Sequence, residues 1–210
     1  MKKLRRYSSL FVVLSGLVAA GSVRAAGTEF DFKDPKGVNS ISFTLDSLVE
    51  PFTGVASGIS GKVTFDPSAP KATKGTITVE TKSLHIEHKG MKQTLHGPDW
   101  LDAAKNPKIE FAIKKVADYK SSGDNVFDLT VVGDMTCKGV TKELTVPVKA
   151  TFLPDKLGKR SSKMKGDLLV LRANFNISRK DFGIKPDMPG EVVAEDIQLR
   201  VSIAGVSPKK

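Results

Sequence analysis

Apolar and polar residues alternate at period two through most of the chain. Ile41, Phe43 and Leu45 alternate with Ser42, Thr44 and Asp46, and Val55, Ile59, Val63 and Phe65 share one face of a second segment. Such alternation marks strands with one dry and one wet face. Ile77 and Val79 open a third that runs towards Leu84; Ile109, Phe111 and Ile113 mark a fourth; Phe127, Leu129 and Val131 mark a fifth. Leu144, Val146, Val148 and Phe152 form the dry face of a sixth, and Leu169, Leu171, Ala173, Phe175 and Ile177 that of a seventh. Val193, Ile197, Leu199, Val201 and Ile203 complete an eighth. Asp66-Pro67-Ser68, Ser121-Ser122-Gly123-Asp124 and Lys138-Gly139 read as turns, and Pro154 to Gly166 as a long polar loop. Pro147 falls on a polar face, which predicts a bulge or an unpaired hydrogen-bonding position there.

One stretch breaks the alternation: Met91 to Phe111, M-K-Q-T-L-H-G-P-D-W-L-D-A-A-K-N-P-K-I-E-F. Gly97-Pro98 interrupts the chain, and Asp99 is placed to cap a short helical turn over Trp100 to Ala104. Asn106-Pro107 ends that turn and launches the fourth strand. Trp100, the only tryptophan, either packs on the core as part of a crossover or covers the open end of the sheet as a lid.

Eight one-sided strands joined mostly by short turns, with no long amphipathic helix to cover them, define an all-β fold. Sequential hairpins favour an eight-stranded antiparallel up-and-down barrel over a sandwich, with one short helical insertion after the third strand. Eight strands enclose an interior that side chains fill or that holds one small ligand.

The N-terminus changes the compartment. Lys2, Lys3, Arg5 and Arg6 precede an apolar run from Leu10 to Ala20, and Val23-Arg24-Ala25 suits signal-peptidase cleavage. Residues 1–25 therefore read as a secretory signal peptide cleaved near Ala25, and 26–210 as a single barrel domain in the periplasm. The apolar run is too short to span a bilayer comfortably. Cys137, the only cysteine, can form no internal disulfide. The leader carries five basic residues and no acidic ones, so removing it takes the formal charge from +10 to +5. No basic stripe interleaved with aromatics points to nucleic acid.

Three motifs resemble one known family. The Met91 to Phe111 stretch is similar to the Pro-Asp-aromatic-x-Asp turn that precedes a proline and the fourth strand in YceI-like proteins. Gly133-Asp134-Met135-Thr136-Cys137-Lys138-Gly139-Val140-Thr141-Lys142 resembles the family's G-D-L-T-x-x-G-V-T-K hairpin, and Arg179-Lys180-Asp181-Phe182-Gly183 its R-x-D-F-G signature. The resemblance covers residues 28–205. It implies a lipocalin-like barrel, exported to the periplasm, whose interior binds a long isoprenoid chain. One departure stands out: where many members carry Arg-Asp-x-His-Leu, this chain has Met91-Lys92-Gln93-Thr94-Leu95, so head-group recognition by those polar residues does not carry over.

The dry faces are the functional candidate. Phe43, Ile59, Phe111, Ile113, Leu129, Leu144, Phe175 and Ile177 are the expected lipid contacts, with Trp100 above them. Ser57, Gly61, Thr81, Ser83 and Ala173 are the small residues expected to leave room among Phe43, Phe111, Phe127, Phe152 and Phe175; the alternative is that those rings fill the barrel. The ligand expected is a polyisoprenoid lipid or an isoprenoid quinone, with no cofactor and no metal. Catalysis has little support. Nothing resembles a strained nucleophile turn, and Cys137, His85, His88 and His96 are the only motive for a lipid-ester hydrolase or thiol enzyme. A filled barrel working as surface partner of a membrane protein is the other alternative. Lys156, Lys159, Arg160, Lys163 and Lys165 crowd the long loop; they read first as a solvated face and second as a patch drawing the barrel mouth to an anionic membrane. Both a monomer and a homodimer fit.

Overall fold

The computed structural model describes residues 27–209; the expected signal peptide, 1–25, lies outside the described residues. Eleven strand segments form one antiparallel sheet. They are β1 (Thr28–Asp31), β2 (Ser40–Leu45), β3 (Phe52–Ala56), β4 (Ile59–Phe65), β5 (Lys74–Glu80), β6 (Leu84–His85), β7 (Lys108–Gly123), β8 (Val126–Cys137), β9 (Val140–Leu153), β10 (Gly166–Ser178) and β11 (Asp196–Pro208). The first six are halves of three broken strands. β1 and β2 pair with successive parts of β11, through Asp31↔Val206 and Ser42↔Arg200. β4 and β3 pair in turn with β1 and β2, and β5 and β6 with β4 and β3. Eight strands result, and the β1–β11 pairing closes the ring as the expected up-and-down barrel.

The breaks have local causes. Gly58 interrupts the second strand between β3 and β4, where a Cβ would press within 2.8 Å of Glu80 and Ser83. A 3-10 turn over Thr81–Ser83 interrupts the third; Thr81 is buried there, its hydroxyl donating to Asn106 O at 2.6 Å. The first strand begins earlier than the alternation suggests, at Thr28, and is split by the loop 32–39. The eighth starts later: Val193 is buried in the preceding loop and β11 begins only at Asp196. The β8–β9 hairpin turns on Lys138 (φ 49°) and Gly139 (φ 75°), two left-handed residues whose twist matches the flanking strands. The β7–β8 turn sits on Asp124-Asn125 rather than at Ser121, because β7 pairs as far as Gly123↔Val126. At Pro147 the ladder to β8 runs on without a shift, while pairing with β10 stops one residue later at Val148↔Ala173. The proline thus takes an unpaired position and makes no bulge.

The helical insertion lies elsewhere than expected. An eight-residue helix, α1, covers Lys89–His96, before Gly97-Pro98, and residues 97–105 are turns. His88 caps it, its Nδ1 accepting from the Met91 N–H at 3.2 Å. Histidine outside the usual capping set, and Gly90 in the first turn, hid this helix from the sequence pattern. Asp99 caps nothing; its backbone carbonyl accepts from Lys138 Nζ at 2.8 Å and its carboxylate pairs with Lys185 at 3.3 Å.

The barrel has two unlike ends. At the end holding the β7–β8 and β9–β10 connections, Phe30 and Phe152 meet edge to face at 6.1 Å, as do Phe65 and Phe127 at 5.5 Å. Phe30, Phe32 and Phe65 are buried, and so is Leu157 of the long loop, whose short helix packs on β10 and β11. This end is plugged. The other end carries α1, the Trp100 turn, the β8–β9 hairpin and the loop 179–195.

Candidate functional site

Between the phenylalanine plug and α1 the barrel is hollow. The cavity, measured as the space open to the centre of a water molecule, holds about 200 Å³, and its wall offers almost no polar surface. On β10 the lining runs from Leu169 to Ile177. The eight residue-to-residue steps between them span about 26 Å, or about 20 Å along the axis of a barrel with tilted strands. The site is a deep, narrow tube of carbon.

Phe43, Phe111, Ile113, Leu129, Phe175, Ile177 and Trp100 line this tube. Ile59 and Leu144 do not: Ile59 is buried in the core behind its partner Val79, which does line the tube, and Leu144 is half-buried against that core. Phe127 and Phe152 also lie outside the wall, in the plug. Among the small residues only Ala173 lines the cavity. Ser57 is exposed, and Ser83 spends its hydroxyl on Glu80 O at 2.7 Å. The space comes instead from glycines under aromatic rings. Phe43 lies across Gly54 and Phe111 across Gly133, so closely that a Cβ there would sit 2.1 and 2.6 Å from the ring edges. Laid flat over glycine, each ring covers bare backbone and leaves the axis open.

The open end is closed by an aromatic pair. Trp100 is half-buried and meets Phe52 edge to face, ring centroids 6.2 Å apart. With Leu95 of α1, these rings line both the tube and a second, outer hollow of about 450 Å³, again measured for the centre of a water molecule. This vestibule is walled by α1 and the Trp100 turn on one side and by Lys185, Met188 and Val193 on the other. Sequence reading missed it, because its wall comes from four separated segments. Met91 and Thr94, at the Arg and His positions of the family's motif, both line it.

Arg179 holds the far wall in place. It is buried, and its guanidinium donates to the carbonyls of Ala194, Ile184, Lys185, Met188 and Val193. One planar fork thus fixes the path of the loop. Phe182, buried one turn on, packs where β9 and β10 part.

The candidate chemical groups do not assemble. Cys137 is buried at the cavity wall, and burial pushes its thiol up to about 12, against a smaller opposing pull from Lys138. His96 Nε2 bonds Leu84 O at 2.9 Å, His88 caps α1, and His85 lies 3.6 Å from the exposed Glu87. Among the described residues no three His, Cys, Asp or Glu side chains gather to hold a metal.

The long loop falls at the plugged end, not at the mouth. Arg160 is tied down there, 2.9 Å from the almost fully buried Asp34, while Lys156, Lys159, Lys163 and Lys165 are exposed. The expectation that these lysines flank the barrel mouth is corrected by position: they lie at the end opposite Trp100.

A closed barrel with a carbon-lined tube and a covered mouth is the architecture of proteins built to enclose an apolar chain. The YceI-like domain matches residues 32–204, and the chain belongs to that family. It is 30% identical over 201 residues to Protein YceI of Escherichia coli O17:K52:H18, covering 93% of this chain and 98% of that one. A UPF0312 protein of Pseudomonas fluorescens is 29% identical over 207 residues, covering 98% of this chain and all of the relative. Among solved structures, BcnA of Burkholderia cenocepacia superposes with a TM-score of 0.62 at 22% identity, over 79% of this chain and 95% of that one. A polyisoprenoid-binding domain from Saccharophagus degradans superposes with a TM-score of 0.59 at 9% identity, over 86% and 99%.

Proposed function

We propose that this protein binds one long isoprenoid or similar apolar lipid chain inside the barrel, as a periplasmic carrier or sequestering protein, with no bond made or broken. The observation that carries the reading is the tube itself: deep, narrow, lined by carbon and closed at its mouth by Trp100 and Phe52. A chain without polar atoms gains affinity from area removed from water, at about 25 cal/mol per Å². Burying about 400 Å² of it releases on the order of 10 kcal/mol before ordering costs. The polyisoprenoid-binding domain from Saccharophagus degradans agrees in ligand class. Export rests on the basic and apolar leader. Organic extracts of the purified protein, read by mass spectrometry, test the reading. A bound isoprenoid, or uptake of added polyprenol into an emptied barrel, is expected; a clean extract together with no uptake overturns it.

A further inference from the structure

Because the tube accepts carbon only, the polar end of any lipid inside it must lie in the vestibule beyond Trp100. We infer that the vestibule selects an uncharged, hydrogen-bond-donating head, such as an alcohol, and disfavours a phosphate; this rests on the lipid-binding reading above.

A phosphate needs cations or free N–H groups. The vestibule's lining contains one cation, Lys185, and two carboxylates, Glu50 and Asp99. Lys185 is already paired with Asp99 at 3.3 Å. Lys138, nearby, spends its ammonium on the carbonyls of Asp99 and Gly183, at 2.8 and 2.6 Å. Most backbone donors of the turning segments are spent too, leaving the Asp99 N–H and the Trp100 indole N–H. Gly97 N–H donates to Thr94 O, Trp100 N–H to Gly97 O, Lys185 N–H to Asp99 O, Met188 N–H to Lys185 O and Val193 N–H to Pro189 O. Pro98 has no N–H, and the Thr94 hydroxyl donates to Gly90 O at 3.2 Å. α1 borders the space from Met91 in its first turn to Thr94, Leu95 and the Gly97 cap, so the C-terminal, negative end of its dipole is part of the lining. Carboxylate is in excess over cation: Lys185 pairs with Oδ2 of Asp99 alone, which leaves Glu50 and the second Asp99 oxygen as acceptors. A hydroxyl can donate to them; a phosphate is repelled by them.

Polyprenol and polyprenyl phosphate of equal chain length, offered separately to emptied protein at low salt, test the inference. The alcohol should bind about tenfold more tightly, the preference narrowing severalfold at 0.5 M NaCl as screening shortens the reach of the carboxylates. The double variant Glu50→Gln, Asp99→Asn, isosteric and at the rim, should narrow the same ratio at low salt. Failure to take up either lipid overturns the lipid-binding reading and this inference with it. Uptake of both with equal affinity, or a preference for the phosphate, overturns the head-group inference alone and leaves the barrel a lipid binder. The salt series needs no substitution, so it decides even if the double variant is unstable.

Discussion

The two ends of the barrel are built from the same strands yet packed by opposite rules. At the plugged end, Phe30, Phe65, Phe127 and Phe152 point rings at one another and fill the section. Half-way up, Phe43 and Phe111 lie flat over Gly54 and Gly133, and the same residue type leaves a tube. A glycine beneath the ring does not decide the outcome by itself, because Phe32 at the plugged end also lies over a glycine, Gly205. What differs is that the plug's rings meet one another in edge-to-face pairs, whereas Phe43 and Phe111 have no ring partner among the described residues. Aromatic content alone does not tell a filled barrel from a hollow one.

The strongest way to break that comparison is to truncate one aromatic from each end. Phe30→Ala empties a fully buried site and should cost about 3–5 kcal/mol. Trp100→Ala removes a half-buried ring that already borders two hollows, and should cost about 1–2 kcal/mol, because less area leaves water there on folding. Urea denaturation measures both. Lipid release should reverse the ranking: Trp100→Ala raises the off-rate of a bound polyprenyl lipid, since a lid slows escape more than entry, while Phe30→Ala leaves it near that of the parent protein. Equal stability losses would make Trp100 core and move the entrance elsewhere.

A smaller effect separates the regions by pH. Cys137 stands in the hollow half, and its thiol titrates near 12 when folded against 9.0 for the ordinary group. Above pH 9 the unfolded chain loses this proton while the folded one keeps it, so stability falls as pH rises through that window. The ceiling is roughly 4 kcal/mol, with about 2 kcal/mol lost by pH 10.5. Cys137→Ala should remove that slope from alkaline denaturation curves, and the native thiol should react with a disulfide reagent at pH 8 far more slowly than a free cysteine. Rapid modification of the folded protein would contradict its burial.

The strands were legible because period-two alternation is set by geometry that no tertiary context changes. Eight dry faces and the Lys138-Gly139 hairpin followed from residue types alone. What escaped depends on neighbours distant in sequence. Phe30 and Phe32 were passed over because four residues of β1 carry too short a pattern to read. Gly54 and Gly133 reveal their purpose only once a ring from the adjacent strand lies over them. Ile59 shares its face with residues that do line the tube, and its cross-strand partner Val79 is one of them, yet Ile59 itself is packed into the core. The helix was misplaced because Asp99 offered a conventional cap and His88 did not. Arg179 shows its task only when the five carbonyls it gathers are seen together.

The smallest contrast concerns acid. At the plugged end Asp34 is almost entirely buried beside Arg160. Burial alone would raise its carboxyl, but N–H groups of Asn39, Lys36 and Val38 and the Arg160 guanidinium outweigh it and hold the group below its ordinary 3.8. A depressed carboxyl contributes stability that is present above its unfolded value and is lost as pH falls below 3.8 towards the folded one. Asp34→Asn keeps the shape and one acceptor oxygen but loses the charge, so it should cost about 1 kcal/mol at pH 7 and flatten the acid limb of the stability profile. At the mouth the vestibule's carboxylates, Glu50 and Asp99, are exposed, and the depressed one, Glu195, is an exposed surface partner of Lys180 rather than a buried latch. Acid should therefore loosen the loop over the plug before it disturbs the vestibule. Hydrogen exchange at pH 3, followed in residues 154–165 and in 89–100, reads the order directly, and earlier exchange around α1 would show that the Asp34–Arg160 pair does not latch the loop to the plug.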